Sequence, residues 1–116
     1  MIAIPIQKSK EVWMVAPLLD KAKWFAFIKD NEIVIEEKKT YSPFALKHWL
    51  LEKDVAMLIL RKITNLQYQI IKEENHIKLF YTGYAKIKMS DAINRYKNRQ
   101  LTRIDNSNDS SIIHHF

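Results

Sequence analysis

Val55-Ala-Met-Leu-Ile-Leu60 runs for six residues without a polar interruption. A strand with one wet face alternates apolar and polar residues, so an unbroken apolar run needs cover on both faces. That cover is a layer of helices on each side of a sheet, which makes the chain an α/β protein. Met1-Ile-Ala-Ile-Pro-Ile6 and Ile77-Lys-Leu-Phe-Tyr-Thr82 supply two more strands of the same layer, and Gly83 ends the second. Trp24–Ile28 and Glu32–Lys39 read as a pair of strands joined by Lys29-Asp30-Asn31. Asp and Asn tolerate the positive φ of a tight hairpin, so this pair is antiparallel. Glu11–Val15 is a further short strand, stopped by Ala16-Pro17, and Gln7–Lys10 is a polar loop.

Helices fill the gaps. Ser42 caps the first and Pro43 sits where a missing N–H costs nothing. Phe44, Leu46, Trp49, Leu50 and Lys53 follow at helical spacing, with Phe44 and Trp49 expected in the core. Thr64 and Gln67 form a capping-box pattern ahead of Leu66, Ile70 and Ile71, with Asn75 as the stop. Ser90 caps a third helix carrying Ile93, Tyr96 and, at its end, Leu101. Right-handed crossovers then set the carboxyl ends of the first, central and Ile77–Thr82 strands at one edge, where α/β sheets bind ligands. Residues 1–102 form the domain and 103–116 a polar tail ending Ile112-Ile113-His114-His115-Phe116.

Composition removes whole classes of chemistry. The single glycine, Gly83, leaves no phosphate-cradling fingerprint. The absence of cysteine excludes thiolate catalysis and thiolate-held zinc or iron–sulfur centres within the chain. A two-metal nuclease needs carboxylates on the sheet, and the first strand carries none. Glu36, Glu37, Asp54, Glu73 and Glu74 sit at element ends, where solvated charge belongs. No Ser/His/Asp arrangement is present, so the expectation is a protein that is not an enzyme. No apolar stretch reaches membrane-spanning length, and the short apolar start has neither basic flank nor cleavage site. The expected location is the cytoplasm, with the chain complete as it stands.

The run Val15-Ala-Pro-Leu-Leu-Asp-Lys-Ala-Lys-Trp-Phe25 resembles the dinitrogenase iron–molybdenum cofactor biosynthesis family, the NifX-like group that includes the C-terminal domain of NifB. That family usually has a Ser-x-His-Phe-Gly-Arg-Ala-x-Tyr-Phe type run here. The opening strand, Leu51–Leu60 and Met89-Ser-Asp-Ala-Ile-Asn-Arg-Tyr96 extend the resemblance across Met1 to Leu101. It implies a three-layer, ribonuclease-H-like α/β motif with a five-stranded mixed sheet flanked by helices. It also implies a nitrogen-fixation accessory role, binding an iron–sulfur or iron–molybdenum cofactor precursor. The departures are specific. Leu18 stands where the family often has His, Leu19 replaces Phe and Asp20 replaces Gly, while Lys21-Ala22 keeps the basic-then-small pair. Thr40–Phe44 and Arg61–Thr64 replace glycine-containing segments. A metal cluster thereby loses its imidazole ligand, so no metal ligand is assigned.

Two functional readings remain. The net charge is +6, from nineteen Lys and Arg against thirteen Asp and Glu. Lys21, Lys23, Arg61, Lys62 and Lys86 fall in or beside the loops at the expected binding edge. There they would hold a small anionic ligand or metal cluster, with Gly83 allowing close approach and Tyr84 a stacking face; the alternative is ordinary solvated charge. The second reading is a homodimer or protein-partner adaptor, using Trp13 on edge strand 11–15 together with tail residues 112–116. Trp24 and Trp49 fit the core. Scattered charge and no recognised motif argue against nucleic acid. His48, His76, His114 and His115 are spaced too poorly for a shared metal.

Overall fold

The computed structural model describes residues 1–40, 42–72 and 76–105. Seven strands and three helices alternate along it. The strands are β1 (Ile2–Ser9), β2 (Val12–Val15), β3 (Trp24–Lys29), β4 (Glu32–Glu37), β5 (Met57–Leu60), β6 (Lys78–Tyr81) and β7 (Thr102–Ile104). The helices are α1 (Pro43–Glu52), α2 (Asn65–Lys72) and α3 (Met89–Lys97). Six strands lie in the order β4-β3-β1-β5-β6-β7, and β2 pairs with β1 off that path.

The three apolar runs behave as their composition requires. β1, β5 and β6 are parallel neighbours in the middle of the sheet. β3 and β4 form the expected antiparallel hairpin, with Asp30 taking the positive φ of 56° at its tip. The sheet has seven strands rather than five. β7 adds an antiparallel edge on β6, burying Ile104, so the first residues after 102 belong to the sheet. The other addition comes from β1, which runs on through Gln7–Ser9 where a loop was expected. There it pairs with β2 through the register Ile6–Val15 to Ser9–Val12.

Pro5 marks the place where β1 changes partners. Its carbonyl accepts the Ala16 N–H at 2.8 Å. Both polar groups of a strand residue face the same neighbour, so a Pro5 N–H would point along that edge too. β5 pairs with Ile2 and Ala3 below this point, and β2 begins at Ile6 above it. Proline is disfavoured inside a sheet because it cannot donate; here it falls at the junction between two pairings.

Alternation along β1 sends side chains to two cores. On one face Ala3, Phe25, Phe27, Leu58, Leu60 and Leu79 meet Leu46 and Leu50 of α1 and Tyr68 and Ile71 of α2. On the other, Ile4, Ile6, Ala26 and Ile59 meet Ala92 and Ile93 of α3. Trp49 closes the first core edge-on against Phe25 at 5.5 Å and Phe27 at 5.2 Å.

Several expectations need correction. Phe44 is 63% exposed and Leu66 is 62% exposed, because the buried stripes run through Leu46 and Leu50 and through Ile70 and Ile71. Trp24 is also exposed, at 37%, meeting Trp13 edge-on at 6.2 Å. Ser42 does cap α1, accepting the Ala45 N–H at 3.1 Å. Thr64 accepts the Gln67 N–H at 3.3 Å, but the Gln67 side chain is buried rather than returned to the cap. Ser90 lies inside α3, whose N-cap is Lys88 with no side-chain hydrogen bond. The extended Lys88 is bridged to Met14, which fixes where the helix can start. Asn75 and 112–116 lie outside the described residues.

Candidate functional site

The carboxyl ends of the parallel strands are partly closed by the chain itself. β2 lies on the edge of β1 that β5 occupies lower down, so β2 and Ala16 stand in line with β5. The segment after Gly83 returns over β6, where the Val15 N–H donates to the Ile87 carbonyl at 3.0 Å. β2 is therefore bridged on its second side, and the expected free edge at 11–15 is not open at Met14 and Val15.

What remains open is a corner beside this closure. Arg61 leaves β5 at the surface end but is only 7% exposed. Its Nη2 donates to the Tyr84 carbonyl, which ties the β5 exit to the turn after β6. Its Nε is buried and has no hydrogen-bond partner among the described residues. The Lys62 ammonium sits 5.6 Å from the centre of the Tyr84 ring, within cation–π range. The Tyr84 ring meets Tyr81 edge-on at 5.7 Å. Gly83 has φ of 106°, which a side chain resists, while a Cβ there would meet nothing within 4 Å. The turn thus needs glycine for its backbone, and no described protein atom crowds that position.

Of the seven residues expected at the binding edge, Arg61, Lys62, Gly83 and Tyr84 are brought together. Lys21 and Lys23 are exposed on the connection from β2 to β3. Trp24 pairs with Ile6, so Lys23 reaches the same end of the sheet. β1 stands between, however, and its backbone is at least two strand spacings, roughly 10 Å, from Arg61. Lys86 is exposed on the segment that returns to β2. Sequence reasoning missed Tyr81, which reads only as a strand residue until the turn folds Tyr84 back onto it.

Burial pushes the Tyr81 phenol above its ordinary value of 10.0, and neighbouring Tyr84 adds to the rise. A raised folded-state value stabilises the protein below pH 10.0, and the benefit is lost as pH climbs through the folded value. Tyr81→Phe is therefore expected to lose less stability than the parent above pH 10.0, read by urea denaturation across the alkaline range. Lys38 moves the opposite way: burial lowers its value, partly offset by Asp20, whose carbonyl it contacts at 2.6 Å.

Among the described residues no group of three or more His, Asp and Glu side chains could hold a metal ion. His48 pairs with Glu52 at 3.0 Å on exposed α1 surface, and His76 is exposed. No helix among the described residues is long and apolar enough to cross a membrane.

No family model and no curated protein matches the chain. Solved structures do. A Thermotoga protein described as a NifB candidate superposes with a TM-score of 0.68 at 17% identity, covering 88% of this chain and 90% of its own. A candidate dinitrogenase from Methanocaldococcus jannaschii gives 0.62 at 19% identity, covering 90% and 94%. The apo form of the orange protein from Desulfovibrio gigas gives 0.73 at 12% identity, covering 89% and 91%. At such identities the likeness is one of fold: this chain has the mixed-sheet α/β architecture of these NifB-type, dinitrogenase-type and orange-protein structures, as its opening strand and its Val15–Phe25 run imply.

Proposed function

We propose that the chain is a non-enzymatic, NifX-like binding domain of the cytoplasm that holds a small anion at the Arg61–Lys62–Tyr84 corner. The observation that carries this is the state of Arg61: a guanidinium 7% exposed, with Nε unpaired and no carboxylate partner among the described residues. Removing a charge from water costs several kcal/mol, by order of magnitude, unless an opposite charge or a full set of hydrogen bonds offsets it. An anion resting between Lys62 and Tyr84 supplies that offset. Arg61 then acts as a fixed positive field and as the prop of the turn, while half-buried Lys62 makes the direct contact.

Within this reading the ligand is a precursor of a metal cofactor, bound by charge rather than by side-chain ligation. The resemblance over Met1–Leu101 and the neighbouring folds support that choice, and Leu18, standing where the family often has His, supports the mode. The path β4-β3-β1-β5-β6 likewise supports the ribonuclease-H-like description of the central strands.

Two titrations test it. Inorganic phosphate and molybdate, followed by amide and aromatic NMR shifts, are expected to perturb Lys62, Gly83 and Tyr84 saturably. Shifts spread over all exposed lysines would sink the anion site. Anaerobic incubation with iron and sulfide then tests the finer claim; a colourless, iron-free protein would remove cluster carriage.

A further inference from the structure

One nine-residue helix, α3, covers the face of the sheet that α1 and α2 do not share. Beside its C-terminal end lies a hollow of about 330 Å³ walled by Phe80, Tyr96, Lys97, Arg99 and Leu101. Leu101 precedes Thr102, the partner of Tyr81 at the carboxyl end of β6, while Tyr96 lies near the start of β5, so the hollow runs along the α3 face beside β6. α3 starts at Lys88, beside the exit of β1, and the Tyr96 hydroxyl contacts the Met57 sulfur at the start of β5.

The walls have definite chemistry. Phe80 and Tyr96 meet edge-on, 5.2 Å between centres and 87° between planes, so their faces form a right-angled step. A flat ring can lie on one face while pointing its edge at the other, the arrangement aromatic quadrupoles favour. The Met57 contact holds the Tyr96 ring in place. Leu101 adds apolar surface, and no carboxylate is among the lining residues. Lys97 and Arg99 supply two cations. Arg99 is fixed by the helix ending: its N–H donates to the Tyr96 carbonyl at 3.1 Å, and the Gln100 N–H to the Arg95 carbonyl at 2.8 Å. Those bonds occupy carbonyls at the negative end of α3, which amounts to only about half a charge against two full cations. The hollow also falls at the small end of the range for ligand sites, roughly 300–1,000 Å³.

We propose that this groove binds a small planar organic anion, an aromatic carboxylate or sulfonate, with its ring on the Phe80–Tyr96 step and its acid group between Lys97 and Arg99. The site shares no lining residue with the Arg61 corner and differs from it in chemistry, since it requires a ring as well as a charge.

The probe is anilinonaphthalene sulfonate, with uncharged phenylnaphthylamine as its control. Titration of the folded chain by NMR is expected to shift Phe80, Tyr96 and Leu101 saturably. The uncharged amine is expected to bind at least about tenfold more weakly, the worth of a charge-assisted hydrogen bond. Lys97→Gln/Arg99→Gln should weaken the sulfonate by a similar factor and leave the circular dichroism spectrum unchanged. Both side chains are exposed, so the fold does not depend on them. Equal binding of the amine, shifts centred on Trp13 and Trp24, shifts at Tyr84, or an unaffected double variant would each overturn the proposal.

Discussion

Phe25→Ala is expected to destabilise the chain by about 3–5 kcal/mol, while Phe44→Ala changes stability by less than about 0.5 kcal/mol. Phe25 has no exposed surface and meets Phe27 at 6.3 Å and Trp49 at 5.5 Å. Its loss removes the transfer free energy of a ring and leaves a cavity walled by neighbours that cannot all collapse. A domain of this kind has a total stability of only about 5–15 kcal/mol, so the variant stands near the edge of folding. Phe44 is 63% exposed and gives up little by truncation. Urea denaturation followed by tryptophan fluorescence measures both. Similar midpoints for the two variants would contradict the core described here.

Arg61→Leu is the second. It removes one hydrogen bond, to the Tyr84 carbonyl, and one buried charge. The bond is worth about 1.5–3 kcal/mol as a charged hydrogen bond. The carbonyl it leaves belongs to an exposed residue, where water can replace the donor. The guanidinium's desolvation penalty, several kcal/mol by order of magnitude, disappears with it. Without ligand, stability is therefore expected to stay within about 1 kcal/mol of the parent or to rise, as happens when apolar groups replace buried charge. Phosphate affinity is expected to fall about tenfold or more. Calorimetric unfolding with and without phosphate separates the two effects. A large loss of stability with unchanged phosphate binding would make Arg61 purely structural.

The sheet was legible wherever one local signal sufficed. Val55–Leu60 demanded two-sided cover, Asp30 suited a tight turn, and Ser42-Pro43 marked a helix start. Legibility failed where a neighbour decided. α1 is apolar nearly all round, through Phe44, Leu46, Trp49, Leu50 and Leu51, so spacing could not choose its buried side. β7 is three residues long and exists because β6 offers an open edge. Gln7–Ser9 is polar and exposed, so it carries no apolar alternation to mark a strand, and its pairing with β2 decides. Ser90 has the right chemistry for a cap, but the bridge between Lys88 and Met14 starts α3 earlier. The proposed corner was half legible: charge in loops named its residues, yet only the fold could separate Arg61 and Lys62 from Lys21 and Lys23.

The partner change at Pro5 bears on how an anion would reach the corner proposed above. With β2 and Ala16 filling the line above β5, an anion bound as proposed at the Arg61 corner would have that strand on one side and exposed Tyr84 on another. Affinity differences among variants of this proposed corner are then expected to fall on departure more than on arrival.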